Sequence, residues 1–195
     1  MPSVPRWAVV SAAAAPVLLI GGWTLAATRQ PAGFDSAVDT ISALAAYGAA
    51  DRWIMTAGLA GLGACHVVTA LGLRSAALPG RLVLATGGVA TVLVAAFPQP
   101  AGGSSAAHVA AAAVAFPALS VWPALALRPA VGVTVSAGLL GLLGWFFWEL
   151  TGDGALVGLT ERLLAGSQAL WPLVVVLAAR RRTSRQAHPA AGGWA

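Results

Sequence analysis

Lysine is absent from the 195 residues, cysteine occurs once, and only six residues are acidic. Charged residues make up 9% of the chain and hydrophobic ones 58%. A soluble domain runs near a quarter charged, so lipid must be the solvent for most of this chain. The lone cysteine, Cys65, sits inside an apolar run. That excludes an intramolecular disulfide, a stapled ectodomain and a Cys-based zinc site. The net charge of +5 comes from arginine alone. These arginines stand at the ends of apolar runs, as topology determinants do, so no nucleic-acid partner is expected. Phosphate loop, dinucleotide fingerprint, HExxH and nucleophile elbow are all missing, and neither a cofactor nor a metal is expected.

What the chain does have is six apolar runs near 8–27, 53–73, 82–97, 108–127, 131–150 and 163–179. Each approaches the roughly 20 residues that cross a bilayer as a helix. Strands would need a closed barrel and an alternating pattern that does not occur. The expected fold is a single all-α polytopic membrane bundle of six transmembrane helices. The first run exceeds the apolar core of a signal peptide and five more follow it, so it reads as a retained span. Residues 180–195, with their arginine cluster and Ala, Gly and Pro, read as a disordered cytoplasmic tail.

Orientation follows from arginine. With the amino terminus inside, Arg6, Arg74, Arg81, Arg128, Arg180, Arg181, Arg182 and Arg185 are inner, against Arg29, Arg52 and Arg162 outside. The positive-inside rule then puts both termini in the cytoplasm. All six acids, Asp35, Asp39, Asp51, Glu149, Asp153 and Glu161, fall at the outer side or its boundary.

Two of those acids lie in the stretch GFDSAVDTISAL, residues 33–44, within the longest outer loop. Ser36, three residues before Asp39, resembles a helix start. On a helix Asp35, Asp39 and Ser42 form one polar stripe, opposed by Phe34, Val38, Ile41 and Ala45 with Leu44 beside it. This pattern predicts a short amphipathic helix lying on the outer interface.

Gly138, Gly141 and Gly144 line one side of the fifth span, and Ala57 and Gly61 form a small-xxx-small pair in the second. Such spacing drives helix contact in lipid, either between two copies in a homo-oligomer or inside one bundle. Six helices have many internal contacts, which favours the second. Trp122-Pro123 and Trp171-Pro172, with Pro117, are sites where a helix can kink or break, as in some transporters. Trp145-Phe146-Phe147-Trp148 reads as an interfacial belt.

His66 lies about 20 Å along the second span from its outer end, whereas His108 opens the fourth span at the outer face. Two haem ligands at such different depths do not form a site. His66 is expected to bond to a neighbouring helix, and His188 falls in the tail. The outer boundary holds a richer set: Asp35, Asp39, Ser42, Ser104, Ser105, His108, Glu149, Asp153, Glu161 and Arg162. A histidine with carboxylates and a serine suits a hydrolytic site or an oxygen and nitrogen metal site. The plainer reading is loop polarity, with Glu161 or Asp51 pairing locally with Arg162 or Arg52.

Asp39-Thr-Ile-Ser-Ala-Leu, Phe97-Pro98, His108 and Glu161-Arg162 together resemble the bacterial multi-pass membrane family called domain of unknown function 998. The resemblance covers about residues 8–180 and implies a six-helix fold in the bacterial cytoplasmic membrane. It implies no activity, and it differs at Ala43, where relatives often carry Glu. It draws Asp39, Ser42, His108, Glu161 and Arg162 together, with Asp35 beside them, as one outer-face set. Three functions are then open. The first is binding of a lipid or amphiphile at the outer leaflet. The second is an enzyme on a lipid or cell-envelope substrate, with His108 as base and Asp39 or Glu161 orienting it or holding a metal. The third is a small transporter.

Overall fold

In hydrocarbon every backbone N–H and C=O must bond within the protein, and a helix does so within one segment, so each long apolar run folds as a helix. The computed structural model describes residues 4–152 and 154–187. Its elements are α1 (Arg6–Ala27), α2 (Ile41–Ala45), α3 (Trp53–Gly72), α4 (Leu78–Ala96), α5 (Ala106–Ala126), α6 (Pro129–Thr151) and α7 (Val157–Ala187). All but α2 are long and apolar enough to cross a membrane, and no strand occurs among the described residues. The chain is a multi-pass membrane protein.

Three helix ends depart from expectation in ways that matter. α4 starts at Leu78, with Pro79 in its first turn, where a missing N–H leaves no bond unmade. α7 starts at Val157, so Glu161 and Arg162 sit on its first turns and do not precede it. Its other end continues through the arginine cluster to Ala187. Residues 180–187 are therefore helical, and the rest of the expected tail, with His188, lies outside the described residues.

Packing follows chain order, α1 on α3, α3 on α4, α4 on α5 and α5 on α6, and α7 closes the ring against α1 and α6. At one end the Gly158 N–H donates to the Val38 carbonyl at 3.2 Å and the Tyr47 N–H to the Gln99 carbonyl at 2.8 Å. These bonds gather the loops that carry the acidic residues. At the opposite, arginine-rich end the Ala77 N–H donates to the Ala126 carbonyl at 3.1 Å.

Lipid tails are as apolar as leucine, so close backbone approach holds such helices together. A Cβ on Gly63 of α3 would stand 2.5 Å from the Gly88 carbonyl oxygen of α4. Gly58 and Gly61 press on Leu18 of α1, while Ala57 is exposed. The α1–α3 contact thus uses Gly58 where Ala57 was expected. Gly138, Gly141 and Gly144 have no atom within 4 Å of an added Cβ. They face out of the bundle, contrary to the internal packing expected of them. α5 runs unbroken through Pro117 and Pro123, and α7 through Pro172. The aromatic quartet divides: Trp148 is 77% exposed, whereas Phe146 is buried with its ring centroid 5.4 Å from that of Phe116.

Candidate functional site

The segment 34–45 does not form the interfacial helix that its spacing suggests. Asp39 Oδ2 accepts the Asp35 N–H and Asp35 Oδ1 accepts the Ala37 N–H, both at 2.8 Å. Short polar side chains bonded in this way to nearby backbone compete with a helix and close a turn. The helix begins only at Ile41, capped by Thr40 and not by Ser36. Thr40 Oγ1 accepts the Ala43 N–H at 3.0 Å. Ile41, Leu44 and Ala45 are 2% exposed or less and pack inward with Leu19, Met55 and Ala169. α2 is therefore a short plug in the acidic end of the bundle, with its apolar face turned to protein.

Glu161 and Arg162, consecutive on α7, hold that segment by opposite polarities. Arg162 Nη1 donates to the carbonyls of Ser36 and Asp39, each at 2.7 Å, and to that of Gly158 at 2.9 Å. Glu161 is 4% exposed, and its Oε2 accepts the Ile41 N–H at 2.5 Å. The guanidinium thus takes the free carbonyls of the turn, and the carboxylate takes the free N–H at the start of α2. Contact is close enough that a side chain on Gly158 would overlap the Asp39 carbonyl oxygen. The local Glu161–Arg162 pairing expected from sequence gives way to these backbone bonds. Arg52 likewise lies over the Tyr47 ring, 4.6 Å from its centroid.

His108 sits in the first turn of α5, where Ser105 Oγ, the N-cap, accepts its N–H at 3.3 Å. Its Nδ1 is 2.9 Å from the Phe97 carbonyl oxygen. A carbonyl only accepts, so Nδ1 carries a proton, and in the neutral tautomer of that kind Nε2 presents a lone pair. Ser42 Oγ lies 3.1 Å from Nε2, within reach to donate to that lone pair. The Phe97 carbonyl is available because α4 ends at Ala96 and the last carbonyls of a helix lack intrahelical partners. Glu161 Oε1 stands 3.5 Å from Ser42 Oγ, a long contact, so Glu161 acts chiefly through the backbone of α2.

Beneath this network lies a cavity of about 50 Å³ whose polar lining is Ser42, Glu161, His66, Thr91 and Gln168. A water needs roughly 10–15 Å³ of such volume, so the space has room for a few waters. His66 is fully buried against it, yet neither ring nitrogen bonds to another protein group. The expected bond from His66 to a neighbouring helix is not made.

Of the residues singled out by sequence, Ser42 meets His108 directly and has Glu161 at longer range. Asp39 and Arg162 join the same assembly through main-chain carbonyls. Asp35 is an exposed turn residue that touches none of the three. Glu149 stands apart, accepting from Trp145 Nε1 at 3.3 Å and from the Leu156 N–H at 3.1 Å. Asp153 lies outside the described residues. Sequence reasoning missed the Phe97 carbonyl, the Ile41 N–H and the Thr40 cap. Phe97-Pro98 as a helix stop was the signal for the first, and a threonine three residues before Ala43 was the signal for the last.

No curated protein and no solved structure matches the chain. A family model described as "Protein of unknown function (DUF998)" matches residues 12–178, a range that contains the whole network, and the chain belongs to that family.

Proposed function

We propose that the protein is a membrane-embedded acyl-transfer or hydrolytic enzyme acting on a lipid or acylated cell-envelope amphiphile. Ser42 is its nucleophile and His108 its general base. The observation that supports this reading is the Ser42 Oγ to His108 Nε2 distance of 3.1 Å with Nδ1 fixed on the Phe97 carbonyl. An imidazole held in that tautomer draws the hydroxyl proton as the oxygen attacks. Ser42 Oγ bonds to the acyl carbon, its proton passes to Nε2, and the leaving alcohol or amine departs with that proton. Water then releases the acyl group by the same route. A backbone carbonyl orients the base here, where sequence pointed to Asp39 or Glu161.

Lipid around the bundle and the polar network at its acidic end support an acylated amphiphile as substrate. The arginine distribution supports a topology with both termini in the cytoplasm, Ser42 facing outward, and the cytoplasmic membrane as the location. A second reading, non-catalytic binding of an amphiphile head group, is favoured by Arg162 Nη2, a buried donor with no protein partner. Turnover of acyl lipids in proteoliposomes separates the two. Catalysis predicts that Ser42→Ala and His108→Gln lower the rate by about 10²–10⁴-fold while bound lipid is retained. Wild-type turnover in Ser42→Ala would end the enzymatic reading.

A further inference from the structure

A groove of about 690 Å³ opens at the arginine-rich end, between the α3–α4 turn, the start of α6 and the last turns of α7. Its volume falls in the range of roughly 300–1,000 Å³ typical of small-molecule sites. Val131, Trp171, Val174 and Val175 line it, with Arg128 and Arg182 among its walls and no acidic residue.

Two other arginines of the bundle are tied to backbone. Arg81 Nε donates to the Ala70 carbonyl at 2.8 Å, and Arg162 Nη1 donates to three carbonyls. The guanidiniums of Arg128 and Arg182 make no hydrogen bond or ion pair with any described residue. An apolar slot beside two uncommitted guanidiniums matches a molecule with a hydrocarbon chain and an anionic head. Guanidinium binds phosphate through paired, charge-assisted hydrogen bonds.

We propose that this groove binds one anionic phospholipid, with its phosphate on Arg128 and Arg182 and an acyl chain along Val131, Val174 and Val175. The site is independent of Ser42 and lies at the other end of the bundle. Basic pockets between membrane helices recruit anionic lipid in the same manner.

Native mass spectrometry of the full chain tests it, with phosphatidylglycerol, phosphatidylcholine of equal chain length, and glycerol phosphate as probes. The variants are an Arg128→Gln/Arg182→Gln double substitution and Val131→Trp, which fills the slot. Wild type should retain phosphatidylglycerol on the order of tenfold more tightly than phosphatidylcholine. The double variant should lose that preference, and Val131→Trp should weaken both lipids. Melting temperatures of the variants should match wild type, which separates lost binding from lost folding. Equal retention of the two lipids, or an unchanged preference in the double variant, would overturn the proposal. Glycerol phosphate binding as tightly as the lipid would overturn it too, since the groove would then be a phosphate site without a use for its apolar wall.

Discussion

His108 Nε2 and Ser42 Oγ meet at 3.1 Å across 66 residues of chain. The contact joins the start of one membrane helix to a short helix buried in the bundle end. Each partner is fixed by a group left over at a helix terminus. The Phe97 carbonyl at the end of α4 holds the imidazole, and Glu161 holds the first N–H of α2.

Glu161 is therefore expected to matter for the placement of Ser42. Glu161→Ala leaves the Ile41 N–H buried without a partner and should cost about 1–3 kcal/mol. Glu161→Gln keeps an accepting oxygen and should cost less. Thermal unfolding in detergent checks the order. Equal losses in the two variants would mean that the bond to Ile41 contributes little.

Lysine should not replace Arg162, because its ammonium ends a bond short of the Nη1 that donates to the Ser36, Asp39 and Gly158 carbonyls. Arg162→Lys is predicted to loosen residues 33–40 and speed proteolysis there, with the bundle intact. Gly158→Ala should act in the same direction through its clash with Asp39. Wild-type proteolysis in both variants would contradict the clamp.

Much of the fold was legible in the sequence, since runs of about 20 apolar residues have few alternatives in lipid. The four pieces Asp39–Leu44, Phe97-Pro98, His108 and Glu161-Arg162 do converge at one end of the bundle. The conformation of residues 34–45 was not legible. Spacing at i, i+4 and i+7 suits a helix, but Asp39 turns back onto the Asp35 N–H, and the anchor of Ile41 is 120 residues away. No local pattern encodes a bond of that range. Which glycines face inward was equally hidden, because a helix face has no partner until the ring is closed.

The glycines provide a contrast. A Cβ at Gly141 meets no atom within 4 Å, so Gly141→Leu should leave melting unchanged, whereas Gly63→Leu drives a side chain into the Gly88 carbonyl. The second should fail to fold or lose several kcal/mol, as overpacking does. Similar melting for both would contradict the packing order described here.

His66→Leu removes two buried nitrogens that have no protein partner. Replacing an unpaired polar group by an apolar one of similar shape is near neutral or stabilising, so melting should hold or rise. A loss of about 1 kcal/mol or more would show that molecules in the cavity satisfy the ring.

The most direct measurement is covalent capture of Ser42. The purified chain in lipid nanodiscs is treated with a fluorophosphonate, digested, and searched by mass spectrometry for the adduct. Wild type should carry an adduct on Ser42, Ser42→Ala should carry none at any other serine, and labelling should slow by about 10²-fold or more in His108→Gln. An unlabelled wild-type Ser42, or labelling that persists undiminished without His108, would contradict the activation of Ser42 by His108.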